Sequence, residues 1–181
     1  MDGTTGPIGE RGVHVATRAR GRPAVDIAVA VIVFAALAWC WRGRADPALD
    51  PHGWPGYLLG LIGSLMMLAV LGFSWRKRVA AGRMSVGAWY NAHVLLGLFG
   101  PVLVLIHARF AWGSINSSFA LAATLLVVGS GLIARYALGP ARRSGNRWAV
   151  TMAEAWHYLH LPLYGVLVMA VILHVYMAHA Y

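Results

Sequence analysis

The chain has 181 residues, 59% of them hydrophobic and 12% charged, with a formal net charge of +9. So apolar a composition, with a mean hydropathy of +0.63, excludes an ordinary soluble domain and predicts an integral membrane protein. The basic excess does not read as a nucleic-acid surface, because it is spread over separate inter-helix segments.

The first 24 residues, rich in Gly and Arg, read as a flexible basic cytoplasmic arm. Five apolar runs follow, each measured against the roughly 20 residues that a spanning helix needs. They are Val25 to Trp41, Pro55 to Phe73, Ala88 to Ala111, Ser118 to Leu138 and Trp156 to Ala180. The fold class expected is therefore all-α, an integral membrane bundle of about five transmembrane helices over residues 25–181. The first run is short and carries Asp26, and it reads as a retained anchor, since a signal peptide has a shorter basic region ahead of it. Cys40 has no partner for a disulfide and reads as a buried inert thiol. The intervening segments, among them RGRADPALDPHGWP and GPARRSGNR, carry the Gly, Pro and charge expected of loops.

Twelve of the fifteen Lys and Arg fall in three stretches, Arg11 to Arg22, Arg76 to Arg83 and Arg135 to Arg147. The other three, Arg42, Arg44 and Arg109, lie towards the opposite helix ends. The positive-inside rule then predicts a cytoplasmic N-terminus and, after five crossings, an outside C-terminus. Trp54, Trp75, Trp89, Trp112 and Trp156 at the ends of the runs fit interfacial belts. The expected location is a bacterial-type inner (cell) membrane, multi-pass.

The third and fifth runs carry the chemistry. His93 and His107 are fourteen residues apart, and so are His160 and His174. Fourteen residues turn a helix by about 1400°, within about 40° of whole turns, and advance it by roughly 21 Å. Each pair therefore shares a face at two depths. With one helix between them, the two runs cross in the same direction, so His93 is level with His160 and His107 with His174. Two facing imidazoles at each of two depths suit bis-histidine ligation of iron porphyrins, a neutral ring offering one nitrogen lone pair to the metal. Gly97, Gly100 and Gly165 lie between the histidines, where a flat macrocycle needs side chains removed. Small residues also serve plain helix packing, the reading given to Gly129, Ser130 and Gly131, and Pro101 and Pro162 read as tolerated kinks.

The segments HVLLGLFGPVLVLIH and HLPLYGVLVMAVILH resemble the haem-binding helices of membrane di-haem b-type cytochromes, above all ferric reductase-like transmembrane domains and the cytochrome b of quinol-oxidising complexes. The resemblance implies two haem b groups, with His93, His107, His160 and His174 as iron ligands, and electron transfer through the membrane. The ferric reductase pattern commonly continues into a flavin and nicotinamide domain, whereas here no G-x-G-x-x-G, P-loop or cluster-binding cysteine set occurs before Tyr181. The expectation is a subunit serving a separate redox protein or a quinone.

His157 competes with His160 but is seventeen residues from His174, about 100° off the common face, and reads as an interfacial residue or a propionate partner. Arg109 and Arg135 are candidates for haem propionates, with snorkelling to headgroups as their alternative. Met66 and Met67 read as packing, and His14, His52 and His179 as incidental. Two rival functions remain open at this point. One is a self-sufficient quinol or metal reductase with a pocket near Tyr90, Asn91, His157 and Tyr158. The other is a haem-free scaffold or transporter.

Overall fold

A computed structural model of the chain describes residues 23–72 and 85–180. Residues 1–22 of the basic arm and the Arg76 to Arg83 cluster lie outside the described residues, while Pro23 and Ala24, expected in the arm, belong to the first helix. Among those described every regular element is helical: α1 (Pro23–Arg42), α2 (Trp54–Ala69), α3 (Val86–His107), α4 (Ile115–Ile133), the short α5 (Gly139–Arg143) and α6 (Arg147–Ala180). A 3₁₀ turn at Pro47–Leu49 lies between α1 and α2, and a π-helical turn at Ala134–Leu138 joins α4 to α5.

Local chemistry sets the ends. The Ser85 side chain accepts from Ala88 N–H and opens α3, and Ser114 does the same for Ser117 N–H at the start of α4. Because of that cap α4 begins three residues before the expected apolar run. At the other end of α3, Arg109 and Phe110 take positive φ values of 52° and 56°, which stops the helix at His107 rather than at Ala111. Left-handed backbone is unfavourable for residues with a Cβ, and here tertiary contacts hold it. Arg109 Nε–H donates to the Arg44 carbonyl at 2.6 Å, and Phe110 meets the Trp41 ring edge-on at 5.4 Å.

Among the described residues three helices are long and apolar enough to cross a membrane, and four if α1 and α2 count as one broken span, bent by 117° between them. α6 has 34 residues, or about 51 Å at 1.5 Å per residue. It starts nine residues before the expected Trp156, because polar Arg147, Thr151 and Glu154 continue the helix beyond its apolar part. The outward surface is strongly apolar: Phe34, Leu126, Met169 and Ile172 are each more than half exposed, as suits contact with lipid rather than water.

α2 packs along α3, and α4 along α6. Glycine makes the first contact close. A β-carbon at Gly63 would lie 2.8 Å from the Gly100 carbonyl, and one at Gly100 would lie 2.9 Å from Met67 Cγ. Gly56, Gly60 and Gly63 thus give α2 a flat face towards α3 and the loop before it. The core among the described residues joins Met67 and Val70 of α2, Ala123 and Val127 of α4, and Tyr164 and Leu167 of α6. Tyr164 O–H donates to the Met67 carbonyl at 2.8 Å and ties α6 to the end of α2.

These contacts fix the relative directions. Gly60 lies beside His107 and Gly72 beside Trp89, so α2 is antiparallel to α3. Tyr57 meets His179 at 6.0 Å between ring centroids, while Met67 meets Tyr164, so α2 is also antiparallel to α6. α3 and α6 are consequently parallel.

Candidate functional site

A cavity of about 330 Å³ opens between α3, α4 and α6, within the range of small-molecule and cofactor pockets. His93 of α3 and His160 of α6 both line it. Gly97 contributes from α3, where an added β-carbon would meet nothing within 4 Å, and Gly131 contributes from α4. One glycine on each of two helices therefore borders a space whose walls carry two imidazoles.

Hydrogen-bond accounting settles the orientation of one of them. Ser130 Oγ–H donates to the Val127 carbonyl at 2.6 Å, which uses the only proton of that hydroxyl. Ser130 Oγ also lies 2.8 Å from His160 Nδ1, so at that contact the oxygen accepts and Nδ1 carries the hydrogen. A neutral imidazole protonated at Nδ1 has its lone pair on Nε2.

One end of the cavity is cationic and aromatic. The π-helical turn carries Arg135, whose Nη1–H donates to Tyr90 Oη at 3.2 Å and whose guanidinium lies over the Tyr90 and Tyr136 rings at 5.7 and 5.5 Å. All three residues line the cavity, together with Trp156. π-turns change the direction of side chains along a helix and recur at functional sites.

The second histidine pair sits at the other end of α3. His107 Nδ1–H donates to the Gly56 carbonyl at 2.8 Å, which again leaves Nε2 as the lone-pair nitrogen. The ring lies flat on Gly60, where a β-carbon would come within 2.9 Å of three of its atoms. His174 of α6 is partly buried. The parallel register of α3 and α6 thus puts His93 and His160 on one cavity, and His107 and His174 towards the C-terminal ends of their helices.

The remaining candidates divide. Gly100 lies in the contact with Gly63 and Met67 on α2, the packing alternative, and does not line the cavity. Gly165 borders a shallow apolar groove with Phe119 and Met169 on another face of α6. Arg109 stands two residues beyond His107, with its Nε–H engaged by Arg44. Arg135 belongs to the His93 end. The side chain of His157 lies outside the described residues. Sequence reasoning missed Ser130, Gly131, Gly56 and Gly60. The i, i+4, i+7 spacing of Gly56, Gly60 and Gly63 was a visible signal of a flat face, but nothing in it named His107 as the group received there.

Among the described residues no group of three or more His, Cys, Asp or Glu gathers to hold a metal ion. Comparison with protein-family models, with curated proteins and with solved structures finds no match.

Proposed function

We propose that the chain is a membrane di-haem b-type cytochrome subunit, with one bis-histidine haem at His93 and His160 and another at His107 and His174. The observation that carries this reading is the cavity with His93 and His160 in its walls, where Ser130 Oγ lies 2.8 Å from His160 Nδ1. The donor set suits the group. A porphyrin brings four equatorial nitrogens of its own, so each iron asks the protein for two axial imidazoles and not for a cluster of three or more. Gly97 and Gly131 leave room for a flat macrocycle, and Arg135 offers its fork of donors to propionates. At the second pair, His107 is pinned through Nδ1 as outer-shell partners of ligating histidines usually pin them.

A bis-imidazole haem supplies a one-electron iron couple with no open coordination position. What the residues do is hold and insulate. Ser130 and the Gly56 carbonyl keep each ring turned to present Nε2, the apolar walls of α3, α4 and α6 exclude water, and Arg135 sits where carboxylates meet the polar end. The roughly 21 Å between successive histidines of one helix would let His93 with His160 hold one haem and His107 with His174 hold another at a different depth of the bilayer. Electrons then pass across a bacterial-type inner membrane, between a quinone or soluble donor and a partner redox protein. The topology has five crossings, with the N-terminus cytoplasmic and the C-terminus outside, as the charge distribution favours.

The test is purification in mild detergent, followed by absorbance, sizing and mass spectrometry. A reduced b-type spectrum with a co-purifying redox protein is the expected result. A b-type spectrum on a protein that migrates alone and turns over quinol with a soluble acceptor would favour a self-sufficient reductase. Absence of the spectrum would favour a haem-free scaffold.

A further inference from the structure

We infer that Ser130 is the positioning residue of the His93/His160 site, setting both the ring orientation of His160 and the electron density that its Nε2 delivers to the group bound there. This rests on the di-haem reading. It adds a residue of α4, a helix that contributes no ligand, and gives it a defined chemical task.

Ser130 is 6% exposed, and its hydroxyl is pinned by the Val127 carbonyl one turn back on its own helix. That bond fixes where the oxygen lone pairs point, and one of them meets His160 Nδ1. The bond from Ser130 to Val127 also polarises the hydroxyl and makes its oxygen a better acceptor. A stronger acceptor at Nδ1–H makes the imidazole more basic at Nε2, which favours the ferric over the ferrous state of a bound iron. Gly131, next along α4, borders the same ring: a β-carbon there would stand 3.8 Å from His160 Cε1, at ordinary contact distance.

The two sites thus receive different outer-shell groups, a side-chain hydroxyl at His160 and a backbone carbonyl at His107. Only the first can be removed by a substitution without touching the main chain, so Ser130 is where the protein is tunable.

The experiment compares full-length wild type, Ser130→Ala and Ser130→Thr, each purified with its haem. Potentiometric titration would resolve the two haems, and transfer to excess apomyoglobin would measure haem release. Threonine keeps the hydroxyl and its bond to the preceding turn. The expected result is that Ser130→Ala raises the midpoint potential of one haem only and weakens that site by about 10–100-fold, the range for loss of an outer-shell partner. Ser130→Thr should restore both. If Ser130→Ala loses that haem altogether while Ser130→Thr retains it at the wild-type potential, the inference also stands. Unchanged potentials and release in Ser130→Ala would overturn it, as would equal disturbance in the alanine and threonine variants, which would mean packing alone. A wild type without haem is a separate failure, that of the di-haem reading itself.

Discussion

Gly60→Ala tests whether the flat face of α2 exists to seat His107. The added β-carbon would lie 2.9 Å from Cε1, Cγ and Nδ1 of that ring. This is about 0.6–1.1 Å inside the optimum separation for carbon contacts. The imidazole has to move by a comparable amount, and its 2.8 Å bond to the Gly56 carbonyl then stretches to about 3.4 Å or more, beyond good geometry. Overpacking costs about 1–3 kcal/mol and the lost hydrogen bond about 0.5–1.5 kcal/mol, against about 1 kcal/mol returned by replacing glycine with alanine in a helix. The balance, about 0.5–3.5 kcal/mol, corresponds to roughly 2–300-fold weaker ligation at that site. Haem content by pyridine haemochrome, with redox-resolved spectra, is the assay. The expected outcome is loss or weakening of one haem, with the His93/His160 haem unchanged. Gly129→Ala, whose β-carbon would meet nothing within 4 Å, is the control and should bind normally. A Gly60→Ala protein with two haems and wild-type spectra would refute the seating argument.

Three further outcomes follow from the same geometry. Gly97→Phe should fill the cavity and cost the haem at the His93 end while leaving the other, by haem count and spectrum, because the space beside Gly97 is open. His160→Ala should abolish that haem and His157→Ala should not; the opposite result would move the ligand one turn along α6. Tyr164→Phe should retain both haems but lower stability by about 1 kcal/mol, read as a reduced thermal midpoint, because it deletes only the bond to the Met67 carbonyl.

The histidine pairs were legible because a helix repeats over a few residues: positions fourteen apart share a face whatever surrounds them. The same local rule located the apolar part of each helix, and it failed where other forces set the ends. Serine caps moved the start of α4, tertiary contacts at Arg109 and Phe110 closed α3, and polar residues carried α6 beyond its apolar stretch. The glycines show the limit most clearly. Gly97 and Gly100 are three residues apart, about 60° in azimuth, and both lie between the histidines. One lines the cavity and the other packs on α2. That difference depends on which neighbour lies at which angle, and spacing within one helix does not encode it. On spacing alone Ser130 reads as a small packing residue for the same reason. Its hydroxyl gains meaning only when α6 brings Nδ1 of His160 within 2.8 Å.

The ratio of haem to protein tests the di-haem reading most directly. Pyridine haemochrome content divided by protein mass from amino-acid analysis, on the purified full chain, should give about two haem b per chain, with low-spin ferric signals for both. A ratio near one would mean that one histidine pair only joins helices, a dominant high-spin signal would mean that an axial ligand is misassigned, and a protein that takes up no haem would contradict the cytochrome reading outright.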